Sequence, residues 1–233
     1  MFWWMSRTAP DVAPPQPTPA TEVAVGTNNR PLPQPIDLPG LAESDSLLRN
    51  LVSALSAHPL LARLLATDSL VRGATLAVVQ IGDGKTPASP LAVLRPMARL
   101  QLRGGQAQGP IEPASYARWD TAVTALQSID PRDAAQLYVN VKPLFDEAYK
   151  ELGSPAGGDF DQAVIQAYHV LAATPDLPSD PALVRRPGYY EYDDPALRAL
   201  RPVQKQFLLM GPEHRKAVLD WLRQLATALD LQL

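Results

Sequence analysis

The sequence predicts a mainly α-helical fold: an irregular multi-helix domain with at most a small β ribbon, preceded by a disordered, proline-rich linker. Three observations carry this. Apolar residues recur at helical spacing through most of the chain after Gly40. The helical stretches are short and are separated by prolines and glycines, which fits an irregular domain better than a long regular bundle. Nine of the 25 prolines lie before Gly40, in a stretch with few large apolar side chains and no periodicity. The expected division is a linker over 1–39 and a single helical domain over 40–233.

The first predicted helix follows Ser44 as its cap and turns Leu47, Leu48, Leu51, Val52 and Leu55 to one face. His58-Pro59 breaks it, because a proline disfavours helix at the residue before it. Leu60, Leu61, Leu64 and Leu65 form a short second helix. Asp68 is placed to cap a third, with Leu70, Val71, Ala74, Val78 and Ile81 as its stripe and Gly82-Asp83-Gly84 as its end. Residues 83–112 are the least helical. There Ala98 to Arg103 alternates weakly, and Gly104-Gly105 can turn a short hairpin.

Helical spacing returns with Tyr116, Trp119, Val123 and Leu126. Asp130 followed by Pro131 is the clearest helix start, since the carboxylate can accept a free N–H and proline is preset for the first helical position. The apolar face of this helix runs from Leu137 to Leu152. Asp146 and Lys150 are spaced for an outer ion pair, and Pro143 should kink it by removing one backbone bond. Asp159 caps the next helix, which stops at Thr174-Pro175. A crossing with Pro178, Pro181 and Pro187 leads to a second Asp-Pro start at Asp194-Pro195. A short helix over Gln204 to Met210 and a last one carrying Val218, Leu222 and Leu225 are separated by Gly211-Pro212. Trp119, Phe145 and Trp221 are expected to share one core.

Composition excludes several functions. The formal net charge of −3 lacks the basic excess of a nucleic-acid binder. Cysteine is absent, so disulfides, thiol nucleophiles and thiolate-bound metal are ruled out. His58, His169 and His214 show no metal-ligand spacing, and no metal or other cofactor is expected. GDGKT at 82–86 lacks the earlier glycine of a phosphate-binding loop, Val79 standing in its place, and reads as a turn. Two acidic groups remain, Asp146, Glu147 and Glu151 on one helix and Glu191, Asp193 and Asp194 beside tyrosines. Paired carboxylates are the equipment of a glycoside hydrolase, so a cell-wall hydrolase is the runner-up reading. Surface helices also carry acids routinely, and no catalytic constellation is legible.

The candidate binding surface is Arg185, Arg186, Tyr189, Tyr190 and Tyr192. In an extended strand Tyr190 and Tyr192 share a face opposed to Tyr189. Exposed rings stack on sugars or partner side chains, and arginines hold anions; alternatively the tyrosines roof the helical core and bond through their hydroxyls.

LPGLAESDSLLRNLVSAL, HPLLARLLATDSLVRG, SYARWD, PLFDEAYKELGSP, ATPDLP and QKQFLLMGPEHRKAV, in this order from Leu38 to about Leu229, resemble a bacterial family known as domain of unknown function 3014. The resemblance implies an envelope protein with one N-terminal membrane helix, a proline-rich linker and this domain on the periplasmic side of the inner membrane. No activity or catalytic residue comes with it. Ser154 stands where the family has an aromatic, Trp119 where it has tyrosine, and the membrane helix is missing. MFWWMSR, with Phe2, Trp3 and Trp4 before Arg7, reads as the interfacial end of such a helix. The expected partner is an envelope protein or a cell-wall component, with no nucleic acid and with membrane contact only through that missing helix. A cytoplasmic adaptor is the expectation if Met1 is the true start.

Overall fold

The computed structural model describes residues 30–32, 34, 36–153, 158–177 and 180–233. The expected anchor remnant, the linker as far as residue 29, and Ser154 lie outside these residues. Among the described residues the fold is mainly helical: α1 (Asp45–Leu55), α2 (Pro59–Leu65), α3 (Leu70–Gly82), α4 (Asp120–Gln127), α5 (Pro131–Glu151), α6 (Phe160–Ala172), α7 (Pro195–Arg198), α8 (Pro202–Leu208) and α9 (Pro212–Ala228). A small antiparallel sheet joins β1 (Gln108–Pro110), β2 (Ala182–Arg186) and β3 (Tyr189–Tyr192) in that order, with Leu183 opposite Tyr192 and Val184 between Gln108 and Glu191.

Prolines start helices here as often as they separate them. Each of α2, α5, α7, α8 and α9 carries a proline in its first turn, where the missing N–H has no intrahelical partner to lose. The carboxylates of Asp130, Asp159 and Asp194 accept the N–H two residues on, as their sequence positions predict. Two other caps differ from expectation. Ser44 is buried, is itself helical in conformation and donates its hydroxyl back to Leu41 O, so it caps nothing. Asp68 leaves the start of α3 to Asp45 of α1, whose carboxylate accepts from Ser69 N at 2.7 Å and Leu70 N at 2.8 Å. A single acid thus begins its own helix and closes the start of another.

The 83–112 stretch supplies two short 3-10 turns, β1 and an isolated bridge between Leu102 and Ile111, with Gly104 and Gly105 at φ 65° and 68°. The other two strands come from the segment after Pro181. The core is divided. Leu100, Ile111, Leu183, Tyr192 and Leu208 fill the sheet side, while Leu48, Val71, Val141 and Leu144 fill the space between α1, α3 and α5. Phe145 borders the second cluster, Trp221 instead bonds Ile129 O through its indole N–H at 2.9 Å, and Trp119 joins neither. The three aromatics therefore do not share one cluster: Phe145 on α5 faces α1 and α3, whereas Trp221 on α9 faces the turn at Ile129 between α4 and α5.

Asp146 pairs with Lys142 rather than Lys150. Asp146 also accepts from Phe160 N at 3.1 Å, and Lys142 reaches on to Asp159, so the pair serves the α5–α6 junction instead of an outer surface. Part of the stretch read as linker lies against α5 and the start of α6: Gln34 N donates to Asn140 Oδ1, Gln136 to Leu32 O, and Arg30 to Asp161 at 2.9 Å.

Desolvation pushes the Asp159 carboxyl up, but the Lys142 ammonium and the N–H of Asp161 outweigh it and hold the carboxyl below its ordinary value of 3.8. Its contribution is present above that value and is lost as the pH falls through the lower value it has in the fold. Asp159→Asn keeps the cap and removes the charge. The variant should melt below the wild type at neutral pH, with the two melting curves converging as the pH approaches about 2. Melting temperature followed by circular dichroism against pH checks this.

Candidate functional site

The place singled out by the sequence is the β2–β3 hairpin. Gly188 at φ 84° turns it, a conformation that glycine adopts without strain. The side chains alternate as the sequence predicts. Tyr192 is 3% exposed, and its hydroxyl donates to Lys205 O at 2.9 Å. Tyr190 is half-buried and donates to Leu100 O at 2.9 Å. Burial pushes the Tyr192 phenol above its ordinary range. Tyr189, on the other face, is 60% exposed. Arg186 pairs with Glu191 at 3.0 Å across the strands, and Arg185 faces solvent. The hairpin is extended, but two of its three rings roof the sheet-side core. Arg185 and Tyr189 are the groups it leaves toward solvent.

The second place was not read from the sequence. A partly open cavity of about 490 Å³ lies between α1, α2, α3, α5 and the Ser89–Val93 loop. Its walls are almost wholly apolar, including Val52, Leu61, Ala74, Val93, Tyr138 and Phe145. This volume falls within the range of about 300–1,000 Å³ usual for ligand pockets. Gly73, in the interior of α3, forms part of the wall. A Cβ built there meets nothing within 4 Å, and its φ is not positive. Neither backbone conformation nor packing therefore requires glycine, although it weakens the helix by about 1 kcal/mol relative to alanine.

Five of the six acids of the hydrolase reading are engaged structurally. Asp146 holds Lys142 and Phe160 N, Glu151 holds Arg72 at 2.7 Å, Glu191 holds Arg186, Asp193 accepts from Gln108, and Asp194 caps α7. Glu147 is exposed, and none of these side chains lines the apolar cavity. The hydrogen bond from Arg72 holds the Glu151 carboxyl below its ordinary range, the opposite of what a general acid needs. His58 accepts from Leu60 N to cap α2, His169 is exposed, and His214 lies between Met210 O and Asp120. Among the described residues no group of three metal-ligating side chains converges. The GDGKT turn closes against α8: Val203 N donates to Gly84 O, and the Arg201 side chain covers Gly84.

The family model described as "Protein of unknown function (DUF3014)" matches residues 70–226. Comparison with curated proteins and with solved structures finds no match.

Removing the Tyr192 hydroxyl leaves Lys205 O without its partner. Tyr192→Phe should lose about 1–2 kcal/mol of stability, whereas Tyr189→Ala should change it by less than about 0.5 kcal/mol. Urea denaturation of both variants measures the difference.

Proposed function

This chain belongs to the DUF3014 family, and from that premise we propose that it is a non-enzymatic binding module of the bacterial cell envelope. It is held at the inner membrane by an N-terminal helix and faces the periplasm. In this reading the proline-rich stretch before Arg30 is the tether between the bilayer and the domain. Among the described residues no single helix is long and apolar enough to cross a membrane, so in this reading the anchor precedes the helical domain. The partner is an envelope protein or cell-wall component that inserts an apolar group into the cavity beside Gly73.

The observation that carries the binding reading is the cavity. It is ligand-sized and apolar, and its wall includes a glycine of α3 that neither strain nor crowding demands. An apolar wall without an acid–base pair offers transfer from water rather than bond-making.

Two measurements test the proposal. The absence of cysteine lets a single substitution at exposed Ala57 report location. In cells with a permeabilised outer membrane, Ala57→Cys should react with a membrane-impermeant maleimide. Labelling only after lysis would place the domain in the cytoplasm and overturn the envelope reading. For the cavity, Gly73→Leu fills the space without a backbone clash. Binding of the apolar fluorophore N-phenyl-1-naphthylamine should weaken at least about tenfold, which is about 1.4 kcal/mol. Melting temperature should not fall, because leucine is the better helix former. A wild type that does not bind the dye, or a Gly73→Leu variant that binds it equally, would remove the cavity from the proposal.

A further inference from the structure

We propose that a crevice at the start of α9, separate from the apolar cavity, binds a zwitterionic amino-acid group, with Arg215 taking the carboxylate and Asp180 the ammonium. The crevice has a volume of about 320 Å³ and is lined by Tyr116, Asp176, Asp180, Leu208, Pro212 and Arg215.

Arg215 is the anomaly that motivates it. The residue is only 7% exposed. Its guanidinium donates to Pro175 O at 3.2 Å and to Asp176 at 2.6 Å, while its Nε–H has no partner among the described residues. Among the described residues, the one carboxylate it meets belongs to a side chain that is 100% exposed. A buried cation needs a partner that stays with it. An exposed carboxylate is screened by water and attracts it weakly. Arg215 also sits in the first turn of a 17-residue helix, the end that disfavours a cation and favours an anion. Its charge is therefore under-compensated, and Asp176 occupies the position that a ligand's carboxylate would take.

Asp180 supplies the opposite pole. Its carboxylate accepts from the Tyr116 hydroxyl at 3.0 Å and from Arg103 at 3.3 Å. Two donors leave lone pairs of an ionised carboxylate unused. Burial and this bond push the Tyr116 phenol above its ordinary range, so it stays a donor. Arg103 and Arg215 balance Asp176 and Asp180 in charge. A simple anion or cation thus meets no net attraction. A zwitterion replaces Asp176 at Arg215 with its carboxylate and presents its ammonium to Asp180.

The test follows the Arg215 Nε–H signal in nitrogen-15 spectra of the whole chain during titration with glycine, acetate or methylammonium. Glycine should move it at millimolar concentration, and the two half-ligands should bind at least about tenfold more weakly. Asp176→Ala removes the internal competitor and should tighten glycine binding about threefold or more. Asp180→Asn should weaken glycine about tenfold without weakening acetate, since it removes the group for the ammonium and a negative charge that opposes an anion. Unchanged backbone amide spectra establish that both variants are folded. No response to glycine in either the wild type or Asp176→Ala overturns the site. Equal binding of acetate and glycine, or indifference to Asp180→Asn, overturns the zwitterion.

Discussion

The arrangement of this molecule depends on α5, which is packed along several of its faces. Its 21 residues make it the longest element among the described residues, and it meets a different neighbour along each face. Val141, Leu144 and Ala148 pack toward α1 and α3, while Ala135 and Val139 pack with Leu229 after α9. Lys142 and Asp146 secure the start of α6, and Asn140 and Gln136 hold the backbone on either side of residue 33. A helix this amphipathic gains most of its stability from such packing rather than from propensity. Pro143 in its middle is exposed, so the lost backbone bond falls away from the apolar contacts. The helical assignment continues across it.

What could be read in advance divides by distance along the chain. Asp130, Asp159 and Asp194 cap helices two residues away, within the reach of a local rule, and all three act as expected. Asp68 and Ser44 satisfied the same rule, but the start of α3 is closed by a carboxylate 25 residues earlier. No local pattern distinguishes those outcomes. Asp146 had a lysine four residues away in each direction, and the choice fell to Lys142 because Asp159 and the Phe160 amide meet there in space. Alternation placed the hairpin tyrosines correctly on opposite faces. Which face was buried depended on the distant carbonyls of Leu100 and Lys205.

The cavity escaped sequence reading for a different reason. Its lining residues, such as Leu48, Val52, Leu61 and Phe145, have the spacing of ordinary core positions. Periodicity says that a side chain faces inward; it does not say that the space opposite is filled. Gly73 was the one available signal. It lies well inside α3, away from Gly82 at the end, and a helix-interior glycine calls for a packing or functional reason. Packing offers none, since nothing approaches its missing Cβ.

That contrast bears on the choice between a binding protein and an enzyme. Gly211 is glycine for a structural cause: φ is 86° and the Tyr116 ring would stand 2.8 Å from a Cβ. Gly84 likewise has φ 80° and lies under Arg201. Gly73 shares neither constraint, yet it weakens α3 and leaves apolar surface uncovered. Empty apolar space costs about 24 cal/mol per Å³ when a core side chain is removed. A module that binds an apolar group recovers such a cost on binding, since the ligand supplies the missing contacts. The carboxylates, by contrast, are engaged in caps and ion pairs that the fold already uses. In the reading proposed above, the uncovered apolar surface beside Gly73 is where a bound group would supply contacts that the fold itself does not make.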